Sequence, residues 1–345
     1  MSELLLIGPC LNKNDASQVG GIVVLFDNYM TWLNDNGIVY SLINTNKKSY
    51  SNIITSYISI CCQILTKSLS SKKIFFHGTA NDFLYIAPLV VIISKLFAKK
   101  VILRKFAGNF NSIYSNSSSI KKKVFRYTLQ RADVLFFETN YLVKFGLDFN
   151  RNTYWFPNVR KVVNSHLILN SNVKKFKKRL VFISQIKPSK GIDEILIVSN
   201  KLSSEYVIDI YGPILDKKYS EEYFSYYKAN YLGILSQNEV INTLNEYDIL
   251  LLPSFREGYP GVIIEAFSLG IPVIVSDVGG LPEMVKSGKE GFVIKPKDAE
   301  QLIKAILSFD EMNYNIMSKN ALKKFNENYN SEIINPKIFK LVSDL

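Results

Sequence analysis

The sequence predicts an α/β protein made of two doubly wound, Rossmann-like domains. Three observations predict it. Short β-branched or aromatic runs alternate with longer segments of helical period along the chain. The runs are apolar almost throughout, as strands covered on both faces are, instead of alternating with polar residues. The series occurs twice, at similar length, on either side of a polar connector. With 345 residues, 47% of them hydrophobic, the chain can fill two such cores.

In the first half, strands are expected at 4–8 (LLLIG), 39–44 (VYSLIN), 73–78 (KIFFHG), 101–106 (VILRKF) and 133–139 (DVLFFET), with helices that include 22–35, 82–98 and 119–131. In the second half, strands are expected at 179–184, 206–212, 248–254, 272–277 and 291–296, and helices at 192–203, 236–246, 261–269 and 298–308. The connector, FPNVRKVVNSHLILNSNVKKFKKR at 156–179, carries Pro157, several Asn, and the basic run Lys174, Lys175, Lys177, Lys178 and Arg179. It divides the chain into domains at 1–160 and 161–327, and a C-terminal helix at about 328–345 is expected to pack back on the first. There is no repeat with a period of 20–50 residues.

Charge separates the two halves. Residues 1–160 hold 19 Lys+Arg against 8 Asp+Glu, and residues 161–345 hold 23 against 22, so nearly all of the net +12 lies in the first half. That asymmetry points to an anionic partner on the first domain. No recognition motif for nucleic acid accompanies it, so nucleic acid is not expected. Cys10, Cys61 and Cys62 have no metal-ligand spacing and no evident pairing, which suits a reducing, cytoplasmic compartment. No signal segment is read at MSELLLIGP, which has the pattern of a strand. The most apolar stretch, 83–94, has 12 residues and contains Pro88, too short to cross a bilayer.

Open α/β sheets bind ligands beyond the carboxyl ends of their strands, so two such domains are expected to form a site in the cleft between those ends. The loop after the 248–254 strand begins PSFREGYPGVIIEAF. Pro260 and Gly261 stand where a helix starts, and the free amides of its first turn, with the helix dipole, favour an anion. Gly258 and Gly261 allow a ligand close to the backbone. Glu257 and Glu265 flank those amides and can accept hydrogen bonds from hydroxyls. Hydroxyls on both sides of a phosphate describe a nucleotide sugar.

Residues 253–298, from PSFREGYPGVIIEAF through GGLPEMV to GFVIKPKD, resemble the second-lobe core of the retaining glycosyltransferases of family four, which have the GT-B fold. Glu257 and Glu265 match that family's E-x7-E pair. The resemblance implies that Glu257 contacts the donor sugar and Glu265 the ribose. It implies that Gly258, Tyr259, Pro260 and Gly261 pass under the sugar and diphosphate, and that the amides of Val262 and Ile263 face phosphate. A second match, FISQIKPSKGIDEIL at 182–196, follows the first strand of the second domain. Lys190 stands where the family places a diphosphate-binding Lys. Gln185 stands where it places an Arg, so one cation is missing, with Lys187 and Arg256 as candidate substitutes. LGILSQNEVINTLNEYDIL at 232–250 is similar to the segment beside the base.

The first domain matches less closely. Its loop GPCLNKNDASQVGGIVVLF at 8–26 ends in Gly20 and Gly21 before a helix, and by resemblance reaches the donor phosphate or the acceptor. His77, Arg104 and Lys105 fall at the ends of the third and fourth strands. Arg104 and Lys105 are candidate ligands for an acceptor phosphate, and His77 reads equally as a site residue or as a structural histidine. Many relatives carry a His near KFAG, where this chain has Ala107. SSIKKKVFRYTLQRAD at 118–133 reads either as a solvated helix packing an apolar stripe or as a basic amphipathic helix on anionic lipid.

The resemblance implies a retaining, metal-independent transferase with no cofactor. Its implied donor is a nucleotide sugar, and its implied acceptor a lipid-linked saccharide of O-antigen or capsule synthesis. It would be cytoplasmic, and peripheral on the inner leaflet through the basic first domain. The alternatives are a sugar-nucleotide epimerase on the same fold, which needs a histidine and acids in the cleft, and a non-catalytic binding protein.

Overall fold

Strands β1 (Leu4–Gly8), β2 (Tyr40–Asn44), β3 (Lys73–Gly78), β4 (Lys100–Lys105), β5 (Val134–Phe137) and β6 (Thr153–Trp155) form one sheet, in the order β2-β1-β3-β4-β5-β6. Every pairing is parallel, with Leu6 opposite Leu42 on one side and Phe75 on the other. Strands β7 (Arg179–Ile183), β8 (Val207–Tyr211), β9 (Asn230–Tyr231), β10 (Ile249–Leu252), β11 (Val273–Ser276) and β12 (Gly291–Ile294) form a second parallel sheet, ordered β12-β11-β10-β7-β8-β9. This computed structural model describes residues 3–11, 21–106, 108–162 and 175–345, with 237 and 238 as backbone only. It divides into two units, Met1–Asn158 with Ile334–Leu345, and Val159–Ile333.

The central strands are buried from end to end, as continuous apolar runs require: Val134–Phe137, Ile249–Leu252 and Val273–Ser276 have no exposed residue. In the first unit Leu5, Ile7, Ile74, Phe76, Val101, Leu103 and Leu135 point to one face, where Ile60, Ile64, Val90, Val91, Phe125 and Leu129 cover them. Each such side chain contributes about 1.5–3 kcal/mol when fully buried. The covering helices Ile53–Leu69, Ala87–Leu96 and Ser119–Arg131 pack side by side as one layer. In the second unit Leu180, Phe182, Ile208, Ile210, Leu251 and Ile274 have the same role beneath helices Ile192–Lys201 and Ala299–Leu307.

The helix expected at 82–98 is two helices, Ala80–Tyr85 and Ala87–Leu96. Pro88 sits in the first turn of the second; proline is tolerated there but ends a helix that tries to run through it. Two short strands, β6 and β9, have no counterpart among the expected elements. The last helix, Ser331–Ser343, changes unit within its length, grouping with the first unit from Ile334 on. Within the first unit Ile338 and Val342 are buried and the Phe339 ring lies 6.1 Å from that of Trp32. Just after the opposite crossover, Arg160 N–H donates to Tyr329 O (2.9 Å) and Ser331 N–H to Arg160 O (2.9 Å), which ties the two chain passages together in the second unit.

Candidate functional site

In the second sheet the chain starts at β7, places β8 on one side and β10 on the other, and so reverses direction between β7 and β10. A ligand of an open α/β sheet binds at that reversal, beyond the strand ends. The two loops that emerge there are bonded to each other: Phe255 N–H donates to Ser189 O at 2.9 Å. Gly191 makes the approach possible. Its φ is +77°, and a Cβ at this position would lie 2.2 Å from the carbonyl oxygen of Pro253.

The approach brings Lys190 to Glu257. Lys190 Nζ lies 2.5 Å from Glu257 Oε1, and Ser254 Oγ donates to the same oxygen at 2.8 Å. The side chains are 17% and 9% exposed, so the pair is largely removed from water and each charge depends on the other. Glu257 Oε2 has no hydrogen-bond partner among the described residues, so its lone pairs are open. The loop after β11 supports the pair from below. Gly279, at φ +55°, lets the backbone come so close that a Cβ would stand 1.9 Å from Glu257 O, and Gly280 N–H donates to Gly258 O at 3.0 Å.

Helix Gly261–Ser268 begins at Pro260, with extended backbone (φ −69°, ψ 131°) and no side-chain cap. The first-turn amides, those of Val262 and Ile263 included, therefore lack a capping side chain and are available to an acceptor. Glu265, one turn in, does not stand free: Arg160 Nε donates to its Oε1 at 2.8 Å, with side-chain exposures of 15% and 14%. Gly261, expected to lie under the diphosphate, also lies beside a side chain of its own unit. The space above it holds the Arg160 guanidinium, and a Cβ there would lie 2.1 Å from Nη2. Tyr259 departs from expectation in its side chain, which is buried with its hydroxyl 2.9 Å from that of Tyr329. Only its backbone can run beneath a ligand.

Gln185 is exposed in the loop after β7, Arg256 is exposed and Lys187 half-buried, and among the described residues neither cation forms an ion pair. Arg160 is the functional candidate that sequence reasoning missed. It lies in a connector full of cations, 105 residues from its partner carboxylate.

In the first unit Gly20 lies outside the described residues, as does Ala107. Gly21 opens helix Gly21–Asp35, with nothing within 4 Å of an added Cβ. The other three candidates are interior. His77 is fully buried among the rings of Phe75 (centroids 4.1 Å apart), Phe26 (5.0 Å) and Tyr29 (5.5 Å), and burial holds its pKa well below the usual histidine value, so it is neutral. Arg104 has its guanidinium carbon 3.4 Å from the Phe156 ring centre and 4.8 Å from that of Phe106, and Nη2 donates to Pro157 O at 3.0 Å. Burial lowers its pKa to about 10, against the raising effect of Glu138. Lys105 donates Nζ–H to Phe106 O; burial lowers it to about 8, opposed by Glu138 and Asp82. Both cations are 1% exposed. The expectation that they meet an acceptor phosphate is thus corrected: aromatic rings and backbone carbonyls enclose them.

Residues 168–328 match the family described as Glycosyl transferases group 1. Over 138 residues the chain is 35% identical to the Escherichia coli UDP-Gal:alpha-D-GlcNAc-diphosphoundecaprenol alpha-1,3-galactosyltransferase, covering 39% of this chain and 36% of that enzyme, about a third of its length. It is 26% identical over 234 residues to the Staphylococcus aureus capsular polysaccharide biosynthesis glycosyltransferase CapM, covering 64% of this chain and 58% of that one. Among solved structures, Anabaena Alr3699/HepE in complex with UDP superposes with a TM-score of 0.75 at 15% identity over 100% of both chains, a likeness of fold. The two-sheet α/β architecture is therefore GT-B.

Proposed function

We propose, from the match of residues 168–328 to the glycosyl transferases group 1, that the chain transfers a sugar from a nucleotide-sugar donor to an acceptor hydroxyl with retention of configuration. The observation that carries the reading is the Lys190–Glu257 pair beside the uncapped start of helix Gly261–Ser268, at the reversal point of the second sheet. The amides and Lys190 receive the charge that develops on the departing diphosphate, and pre-placed donors of this kind are the largest electrostatic contribution to such a step. Glu257 accepts from the sugar hydroxyls and Glu265 from the ribose. The acceptor oxygen attacks the anomeric carbon from the face the phosphate leaves. The carbon–phosphate oxygen bond breaks, and the departing phosphate oxygen takes the acceptor's proton. No protein base and no metal ion is assigned a role in this sequence.

The acceptor we propose is a lipid-linked saccharide, as in the name of the Escherichia coli relative, handled at the inner leaflet with the protein on the cytoplasmic side. One face of the first unit supports this. The layer of helices Ile53–Leu69, Ala80–Tyr85, Ala87–Leu96 and Ser119–Arg131 exposes Ile54, Ile58, Leu65, Leu69, Tyr85, Ile92, Leu96, Ile120 and Tyr127. These helices hold seven Lys and Arg, and their one acid, Asp82, is buried and paired with Lys47 at 3.3 Å. Large apolar side chains among cations, with no exposed carboxylate, suit an anionic lipid surface. Among the described residues no helix is long and apolar enough to cross a membrane.

The epimerase alternative needs a histidine at the substrate; His77 is fully buried, and His166 lies outside the described residues. Incubating the protein with labelled nucleotide sugars, with and without polyprenyl diphosphate-linked saccharides, tests the reading. Transfer to lipid is expected; epimerised donor, or an unchanged donor pool throughout, overturns it.

A further inference from the structure

Arg160 is fixed at its base, because its own N–H and carbonyl carry the two hydrogen bonds, each 2.9 Å, that hold the crossover to Tyr329 and Ser331. From there the side chain reaches the start of helix Gly261–Ser268 and uses two of its three nitrogens. Nε donates to Glu265 Oε1 at 2.8 Å and Nη1 to Val159 O at 3.1 Å. Nη2 rests against Gly261, close enough that a Cβ would lie 2.1 Å away, and it has no hydrogen-bond partner among the described residues. A guanidinium at the positive end of a helix repels the partial charge there. Glu265 neutralises only the Nε edge, one turn along. What remains, among the described residues, is a cation and a set of uncapped amides side by side with no acceptor between them.

We propose that Arg160 binds the donor's diphosphate: Nη2 donates to a phosphate oxygen that also accepts from the helix amides, while Nε keeps Glu265 oriented to accept from the ribose diol. This rests on the nucleotide-sugar reading above and adds a residue to it. Arginine suits both tasks at once because its planar fork presents two separate donor edges, which a lysine cannot do. The same geometry accounts for glycine at position 261, since any side chain there displaces Nη2.

The test is calorimetric titration of the full chain with UDP, GDP and ADP and with uridine, guanosine and adenosine. Wild type is expected to bind one diphosphate more tightly than its nucleoside. R160Q is expected to weaken that diphosphate about tenfold more than it weakens the nucleoside, whose smaller loss reflects the released Glu265, and R160K to recover part of the diphosphate loss. The crossover bonds belong to the Arg160 backbone, so both variants keep them, and an unliganded melting curve checks this. The assignment is overturned if R160Q binds the diphosphate as wild type does. It is also overturned if R160Q loses nucleoside and diphosphate equally, because Arg160 would then act only by placing Glu265. A wild type that binds no nucleotide removes the donor reading itself, and with it the assignment, a result seen before any variant is made.

Discussion

Lys190 Nζ and Glu257 Oε1 lie 2.5 Å apart although 67 residues separate them, because two loops leave adjacent strands, β7 and β10, and touch through Gly191 and Pro253. The pair is mostly shielded from water, so removing either partner has two effects. On the proposed role of Lys190 at the departing diphosphate, turnover of Lys190→Ala is expected to fall by about 10²–10³. The substitution also leaves the Glu257 carboxylate buried with only Ser254 as donor, at a cost of about 1–3 kcal/mol in stability. Lys190→Ala with Glu257→Ala should recover most of that stability and none of the turnover. Urea titrations and a donor-hydrolysis assay of the three proteins measure both.

Gly191→Ala separates loop geometry from side-chain chemistry. Its Cβ would meet backbone, the Pro253 carbonyl at 2.2 Å, so the loop must move, and the positive φ of 77° adds strain. The substitution touches no charged group, yet it should lower turnover at least tenfold by drawing Lys190 away from Glu257. Stability should fall by about 1–3 kcal/mol. Turnover equal to wild type would mean that the contact between the loops does not position the pair.

The larger elements were legible in the sequence because each carries its own signal. Continuous apolar runs mark β3, β10 and β11, and helical period marks Ser119–Arg131 at the bounds read for it. Strands β6 and β9, of three and two residues, are too short to show a pattern, and pairing with a neighbour is what makes them strands. The meeting of Glu257 with the loop that bears Lys190 was partly legible, because both follow strands of one sheet. The Arg160–Glu265 pair was not: nothing in a connector rich in lysine and arginine marks which cation turns inward. Nor could position at a strand end reveal that Phe106 and Phe156 close over Arg104, since that enclosure is tertiary.

His77 gives the first unit a dependence on pH. In the folded chain burial keeps the ring neutral well below the usual value, whereas in the unfolded chain it titrates near 6.5. As pH falls through about 6.5 the unfolded state takes up a proton that the folded state does not, so stability declines toward lower pH, by at most about 1.4 kcal/mol per pH unit from this group. His77→Phe should remove its share of the slope between pH 5 and 6.5 and leave the rest of the curve unchanged. Denaturant midpoints across that range, for both proteins, read it directly.

The apolar and basic layer of the first unit predicts binding that responds to lipid charge. Wild type should sediment with phosphatidylglycerol vesicles and much less with phosphatidylcholine, and about 0.5 M salt should release part of it. The triple variant Ile54→Glu, Ile58→Glu, Leu96→Glu alters only exposed positions, so each change should shift stability by no more than about 0.5 kcal/mol. It should lose most vesicle binding while turning over a water-soluble acceptor at the wild-type rate. Binding that survives the three carboxylates would assign lipid contact to another face.

Gly261→Ala tests whether Arg160 and the helix start act together. The added methyl meets the far end of a flexible side chain, Nη2 at 2.1 Å, and not backbone, so the guanidinium can swing aside at little cost. Position 261 begins a helix, where alanine is at least as favourable as glycine. Stability should therefore change by less than about 1 kcal/mol. Diphosphate affinity should nevertheless fall about as far as in Arg160→Gln, because Nη2 no longer occupies the place from which it donates. The double variant Gly261→Ala, Arg160→Gln should then be no weaker than Arg160→Gln alone, since two changes that remove one interaction do not add. Additive losses would mean that the methyl blocks the ligand directly, with glycine at 261 serving the phosphate instead of the arginine.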